Sequence, residues 1–187
     1  MGSGGRPVAY IVEHKLGNPW KVYHAEIVEE LAKQTNLEKK LIKEVDEANI
    51  PFIDEVLYDF FGRRYMNLGN YYKHLVRVLS TIGQRGYAII MGRGAEFLFP
   101  HSLNIKLICD FDQRVNWISS FEKVSKREAV ERIRESDRKR TNFIKTLYGK
   151  DYNDPHHYDL VIKTGSEIPI EEASEIIVSE AKRRFGL

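Results

Sequence analysis

The chain has 187 residues, of which 42% are hydrophobic and 30% charged. This balance excludes a disordered protein and predicts one compact domain over residues 1–187. The 29 basic and 27 acidic residues leave a net charge of +2, which argues against a protein that grips long nucleic acids through a global basic field. Cys109 is the only cysteine, which excludes internal disulfides, and no apolar run approaches the roughly 20 residues of a membrane span. We therefore expect a cytoplasmic protein without a membrane partner.

Apolar residues at helical spacing predict a series of helices in the first half of the chain. Val8, Ile11 and Val12 fall on one face of the first helix, and Gly17-Asn18-Pro19 ends it. The predicted helices cover residues 7–16, 25–34, 37–48, 51–61 and 70–85, with a short strand at 20–23.

The second half alternates short apolar runs with helical patterns. The runs YAIIM, IKLIC and LVI predict buried strands at residues 87–91, 105–109 and 160–162. Helices are predicted at residues 113–122, 126–147 and 170–184. Ser125 and Glu128 form a capping box at the start of the long one. This alternation predicts an α/β protein whose parallel sheet is covered on both faces.

A glycine-rich stretch, Gly2-Ser3-Gly4-Gly5-Arg6, precedes the first predicted helix. Glycines permit the positive φ angles that turn successive N–H groups toward an anion, and the helix N-terminus adds its dipole. Arg6 would place a cation near the phosphates. The match to G-x-x-x-x-G-K-[ST] is incomplete, because Arg6 replaces lysine and Pro7 replaces the hydroxyl residue. A flexible Gly-Ser leader is the alternative reading of this stretch.

A second candidate, Gly92-Arg93-Gly94, directly follows the YAIIM run. Ligands of open α/β sheets collect at the carboxyl ends of strands, and an arginine between glycines suits a phosphate or a base edge. A tight turn with a solvated arginine is the alternative.

A third candidate is the basic helix at residues 126–140. Arg127, Arg134 and Arg138 lie close to one face, with Arg132, Lys139 and Arg140 beside them. Interleaved glutamates also fit a salt-bridged, solvated surface. Over a transferring phosphoryl group, the same arginines would neutralise charge.

The histidines do not indicate a metal site. His156 and His157 are adjacent, so on a helix they would point in different directions, and no His or carboxylate at i, i+4 supports them. A turn around Asp154-Pro155 is the prediction here.

The order of these segments along the chain and their sequences resemble the cytidylate kinase-like family of P-loop nucleoside monophosphate kinases. The segments are GSGGR, NPWKVYHAEIVEELAKQTNL, YAIIMGRGAEFLF, IKLICDFDQRVNWI and DRKRTNFIKTLYGKDYNDPHHYDLVIKTG. The last is the most specific, since it is similar to the family's lid helix, its Gly-aromatic-Asp-Pro connection and its final strand with a closing threonine. The resemblance runs from Gly2 to about Lys182.

The resemblance implies a three-layer P-loop kinase fold with a parallel sheet, a helical acceptor-binding insertion at residues 24–70 and an arginine-rich lid at 123–150. It implies transfer of the γ-phosphoryl group of ATP to CMP or a related nucleotide, with Mg²⁺. The implied catalytic residues are Arg6, Arg134 and Arg138. The implied ATP-binding residues are Gly2, Ser3, Gly4, Gly5, Arg6, Arg132 and Arg140. The implied acceptor-binding residues are Gly92, Arg93, Gly94 and Asp137, and Arg114 would lie near the lid.

The sequence also departs from the family pattern. A buried strand usually leads into the glycine loop, and no residues for it precede Gly2 here, so we expect a sheet with a gap, exposed edges or a changed strand order. His24 stands where an acidic residue is usual. A kinase for another small acceptor and a catalytically silent nucleotide-binding protein remain alternatives. A nucleic-acid-binding module using the helix at 127–140 is disfavoured by the net charge.

Overall fold

The computed structural model describes residues 1–33, 61–62 and 69–187. The α-helices of these residues are α1 (Gly5–Leu16), α2 (Ala25–Lys33), α3 (Asn70–Arg85), α4 (Phe111–Glu122), α5 (Lys126–Tyr148) and α6 (Ile170–Phe185). The strands are β1 (Lys21–Tyr23), β2 (Ala88–Ile90), β3 (Ile105–Ile108) and β4 (Leu160–Lys163), and short 3₁₀ turns cover Ala95–Phe97 and Pro155–His157.

The chain divides into two compact units. The first unit consists of Met1–Asn18 and Pro100–Leu187, and the second of Pro19–Phe99. Among the described residues, each unit contains one pair of parallel strands, β3 with β4 in the first and β1 with β2 in the second. Parallel neighbours need a long crossover, and helices α4 and α5 supply it in the first unit, as α2 and α3 do in the second.

Parallel pairing confirms the expected α/β class, but the four strands form two pairs rather than one sheet. The coverage of both faces is also incomplete in the β3–β4 pair. Ile162 is buried on one side of β4, whereas Val161 on the other side keeps 44% of its surface exposed. Because side chains alternate across a strand, this pattern leaves one face of β4 partly open.

The first unit has two helix contacts that organise its core. Helix α1 packs against α6 through small and β-branched residues, among them Val8, Ala9 and Ala173. Helix α4 packs against α5, where Val115, Ile118 and Ile133 form a buried cluster. Each fully buried aliphatic side chain contributes about 2 kcal/mol, so these contacts hold the two helix pairs in place.

The second unit is centred on helix α3, which packs against α2 and β2. Leu75, Leu79 and Ile82 recur along one face of α3 and are fully buried. The ring of Phe99 packs against Gly83 of the same helix, so closely that a Cβ atom at this position would overlap the ring. A glycine inside this helix is therefore explained by close packing rather than by backbone bending.

The predicted elements in the described residues are confirmed, with small shifts at their ends. Strand β2 is shorter than the run YAIIM, because Tyr87 adopts a positive φ of 50° that no strand residue has. The helix predicted at 37–48 lies outside the described residues, and of the helix predicted at 51–61 only Phe61, which is helical, lies within them. None of the described helices has the length and apolar character needed to cross a membrane.

Of the two hydrogen bonds of a capping box, the one accepted by the serine is confirmed at the start of α5. The Ser125 side chain accepts a hydrogen bond from the Glu128 backbone N–H at 3.2 Å. The Glu128 carboxylate binds Arg132 at 2.6 Å.

Removing the cap should destabilise the first unit. We expect Ser125→Ala to lower the free energy of unfolding by about 1 kcal/mol, measured by urea denaturation, because one N–H at the start of α5 loses its acceptor. Ser125→Asp should retain the stability. Ser120→Ala, an exposed position inside α4, is the matched control and should cost nothing measurable.

Candidate functional site

The glycine-rich stretch forms an ordered turn that opens helix α1. Gly2 and Gly4 have φ angles of 82° and 75°, in the left-handed region, and Gly4 is the residue that precedes the helix. A Cβ atom at Gly2 would lie 3.1 Å from the Cβ of Arg114, and one at Gly4 would overlap the side chain of Ile170. The positive φ angles therefore favour glycine at both positions, and the close approach of Arg114 and Ile170 adds to this preference.

This glycine turn (residues 2–5) is attached to the carboxyl ends of β3 and β4. Thr164 directly follows β4, and its hydroxyl donates to the Ser3 carbonyl at 3.0 Å. The Thr164 backbone N–H donates to the carbonyl of Ile108, the last residue of β3, at 2.8 Å. The turn thus lies where ligands of parallel sheets bind.

The start of α1 carries a positive potential. Its first turn contains no acidic residue, and Arg6 is exposed there. The first N–H groups of a helix have no intrahelical acceptor, and the helix dipole places partial positive charge beside them. The glycine turn and this helix end together suit an anion such as a phosphate group.

A second attachment joins the glycine turn to the two packed helices α4 and α5. Arg114 of α4 donates through Nε to the Met1 carbonyl at 2.6 Å, and its Nη2 donates to both carboxylate oxygens of Asp137 on α5, at 2.8 and 2.6 Å. The Met1 ammonium lies 3.1 Å from the same carboxylate. Burial alone would raise the pKa of Asp137, but these hydrogen bonds and charges outweigh it and lower the pKa.

Some basic residues of α5 form ion pairs with glutamates on the protein surface. Arg132 binds Glu122 at 2.5 Å and Glu128 at 2.6 Å, and Lys139 binds Glu135 at 2.7 Å, so here the salt-bridged surface anticipated from the sequence is present.

The remaining arginines of the expected lid lie elsewhere on the helix. Arg134 and Arg138 are exposed, with the Arg134 guanidinium 5.8 Å from the Phe111 ring. The Arg140 guanidinium lies 5.5 Å from the ring of Tyr152, which follows α5.

A buried lysine holds the segment after α5. Lys106 of β3 is 9% exposed, and its ammonium donates to the Tyr152 carbonyl at 2.7 Å and to Asn153 Oδ1 at 3.3 Å. The same ammonium lies 4.2 Å from the Tyr152 ring and 5.0 Å from the Tyr158 ring. Hydrogen bonds and aromatic faces thus replace the water that a buried cation loses.

In the second unit, Gly92-Arg93-Gly94 forms a turn shortly after β2. Arg93 has a positive φ of 59°, between glycines at 76° and 75°. Its guanidinium forms an ion pair with Glu29 of α2, and each side chain is 27% exposed. A positive φ on a non-glycine residue is a strained arrangement that is found often at ligand sites.

The adjacent histidines both face one carboxylate. His156 Nδ1 lies 2.7 Å and His157 Nε2 3.8 Å from Asp154, and the Asp154 side chain also accepts the N–H of His156. The predicted turn at Asp154-Pro155 is confirmed as a 3₁₀ turn. Within the described ranges, no three His, Cys, Asp or Glu side chains are grouped to hold a metal ion.

The structure brings the glycine turn together with Arg114 and Asp137. From the sequence, Arg114 is expected near the lid and Asp137 at the acceptor site. Sequence reasoning assigned no role to Thr164, Lys106 or Glu29. A polar residue directly after a predicted strand was an available signal for Thr164. Glu29 lies 64 positions before Arg93, and no local pattern could join them.

The Arg114–Asp137 pair should contribute to stability in a pH-dependent way. We expect Asp137→Asn to lower the free energy of unfolding by about 1 kcal/mol near pH 7, a value already reduced for solvent screening of a partly exposed pair. The folded-state pKa of Asp137 is lowered, so its contribution is full above the unfolded pKa, near 3.9, and is lost as pH falls through the folded pKa.

Urea denaturation of both proteins near neutral and acidic pH would measure this. The difference between wild type and Asp137→Asn should shrink in acid. Glu131→Gln, which removes an exposed ion pair to Arg127 on the same helix, is the control and should cost about 0.3 kcal/mol. A pH-independent loss in Asp137→Asn would contradict the electrostatic explanation.

Comparison with known proteins shows the fold and the family of the chain. A crystal structure of an uncharacterized protein from Eubacterium ventriosum superposes with a TM-score of 0.72, over 97% of this chain and 93% of that chain, at 19% sequence identity, which shows a shared fold. No curated protein matches the chain. The cytidylate kinase-like family matches residues 1–166, which contain the glycine turn, both strand pairs and helix α5. The chain therefore belongs to the cytidylate kinase-like family.

Proposed function

We propose that this protein is a nucleoside monophosphate kinase that transfers the γ-phosphoryl group of Mg-ATP to CMP or a related nucleotide. The observation that carries the proposal is the glycine turn, with positive φ at Gly2 and Gly4, which opens α1 beside the ends of β3 and β4. Family membership points to a nucleotide kinase, and this turn is where the chain would meet the donor phosphates. We place the activity in the cytoplasm, on small nucleotides.

The proposed architecture is the three-layer P-loop kinase fold, as one domain. Residues 24–70 would form the helical acceptor-binding insertion and residues 123–150 the lid. The parallel strand pairs and the fold shared with the E. ventriosum protein are consistent with this arrangement.

The donor phosphates would bind to backbone N–H groups of Gly2, Ser3, Gly4 and Gly5, with Arg6 supplying a full positive charge. Pro7 stands where the family's loop usually has a hydroxyl residue. The magnesium ion would be held by the ATP phosphates and water, since Mg²⁺ usually keeps several waters and binds substrate phosphates. When bound, Mg²⁺ neutralises charge on the phosphate oxygens.

The arginines of α5 would neutralise the charge on the transferring group. Arg134 and Arg138 are exposed and suited to a moving anion, whereas Arg132 would have to exchange its two glutamates for the nucleotide. Arg140 would assist from beside Tyr152. No protein nucleophile is needed, because phosphoryl transfer in such enzymes depends on positioning and electrostatic stabilisation.

The acceptor phosphate would bind to Arg93, and Gly92 and Gly94 would allow it to approach the backbone. Glu29 occupies the guanidinium in the ligand-free protein, so the acceptor must compete with this carboxylate. We revise the expected role of Asp137 from acceptor binding to holding Arg114, because its carboxylate oxygens are already engaged there.

A coupled ADP-release assay on the full chain, with Mg-ATP and CMP, dCMP, UMP, AMP or GMP, tests the reaction. We expect turnover that is selective for CMP or dCMP. Turnover with a different acceptor would show a kinase of changed specificity. ATP binding without turnover on any acceptor, from folded protein, would contradict the kinase and favour the silent nucleotide-binding alternative.

The role of Arg93 has its own test. We expect Arg93→Met to raise the KM for the acceptor roughly 10- to 100-fold while leaving the KM for ATP nearly unchanged, because one charge-assisted contact to the acceptor is lost. Arg183→Met, on the exposed surface of α6, is the control and should change neither constant. An unchanged acceptor KM in Arg93→Met would exclude this turn as the acceptor site.

A further inference from the structure

The hydroxyl of Thr164 contacts the glycine turn from within the protein. Thr164 is 1% exposed, and its Oγ1 lies 3.0 Å from the Ser3 carbonyl oxygen and 3.1 Å from the Ile108 carbonyl oxygen. A buried hydroxyl has one proton to donate, so these two carbonyls compete for it.

The competition favours Ser3. The Ile108 carbonyl already accepts the backbone N–H of Thr164 at 2.8 Å. In an α-helix the Ser3 carbonyl would accept the N–H of residue 7, but residue 7 is Pro7, which has no N–H. By contrast, the next carbonyl, that of Gly4, accepts the N–H of Val8 at 3.1 Å. The hydroxyl proton therefore stabilises the fold most when it serves the Ser3 carbonyl.

A fixed Ser3 carbonyl also fixes the N–H of Gly4. The two groups belong to one planar trans peptide, in which the C=O and N–H bonds point in opposite directions. With the carbonyl held toward Thr164, the Gly4 N–H is directed away from the strand ends. The Gly4 residue could otherwise rotate at low cost, since glycine populates both signs of φ.

We propose that Thr164 is a positioning residue for phosphate binding, whose hydroxyl orients the Gly4 N–H toward the donor phosphates. This inference rests on the proposed function of the glycine turn. Thr164 does not itself touch the nucleotide. It acts through the Ser3–Gly4 peptide, and it joins the end of β4 to the start of α1.

Wild type and three variants separate the effect of the hydroxyl from that of the methyl group of Thr164. Thr164→Val removes the hydroxyl of wild type at nearly constant volume. The second pair, Thr164→Ser and Thr164→Ala, makes the same comparison without the methyl group. We expect ATP affinity, measured by calorimetry without acceptor, to follow the hydroxyl. Thr164→Val and Thr164→Ala should bind ATP about tenfold more weakly than their hydroxyl-bearing partners, as expected for one misdirected hydrogen-bond donor.

The acceptor KM should not follow the hydroxyl. Stability should follow both groups, since loss of the hydroxyl removes the donor to the Ser3 carbonyl and loss of the methyl removes buried contacts. Thr164→Ser should therefore be less stable than wild type in urea denaturation and yet keep its ATP affinity. Equal ATP affinity within each pair, or a loss that parallels stability, would overturn the inference. The Ser/Ala pair keeps the comparison available if Thr164→Val does not fold.

The amide signal of Gly4 in NMR spectra of the ligand-free protein tests the inference independently of ATP. Its ¹H and ¹⁵N shifts should move in Thr164→Val and Thr164→Ala and stay close to wild type in Thr164→Ser. If the wild type fails to bind ATP while the Gly4 signal follows the hydroxyl, the proposed function is wrong and the positioning by Thr164 stands. An unmoved Gly4 signal in both hydroxyl-free variants would contradict the positioning itself.

Discussion

The candidate site depends on two hydrogen bonds that side chains donate to backbone carbonyls. The Ser3 carbonyl of the glycine turn accepts from Thr164, and the carbonyl of Met1, the residue directly before the turn, accepts from Arg114. Glycine lowers the steric cost of the turn but does not choose its conformation, since it can adopt many. These side-chain donors select one conformation of the turn, so that its N–H groups point in defined directions.

Largely buried cations link separate segments within the first unit. Lys106 and Arg114 are largely buried cations, and each is surrounded by carbonyls, carboxylates or aromatic faces rather than by water. Such groups are costly to bury alone, so the satisfied partners specify where the adjoining segments lie. Lys106 specifies the segment after α5, and Arg114 specifies the approach of α4 to α5 and to the glycine turn.

Carboxylates already pair with two of the arginines that we propose as nucleotide-binding residues. Arg93 is paired with Glu29, and Arg132 with Glu122 and Glu128. A phosphate that binds these arginines must replace a carboxylate, so part of its electrostatic gain is offset by the broken pair. The same pairs keep the guanidinium groups in defined positions before any ligand arrives, which reduces the conformational entropy lost on binding.

Local sequence patterns determined the secondary structure of the described residues. Apolar periodicity defined α3 and α5, short apolar runs defined β2, β3 and β4, and Ser125 marked the start of α5, because these signals act over a few residues. The glycine turn was also visible, and the order of the motifs indicated the family. Only the tertiary structure decided which side chains serve the turn. Thr164 lies 161 positions from Ser3, and Arg114 lies 23 positions from Asp137. Such hydrogen bonds arise when strands and helices pack, and no pattern of neighbouring residues encodes them. The pairing of strands two by two was likewise decided by long-range contacts between residues far apart in the chain.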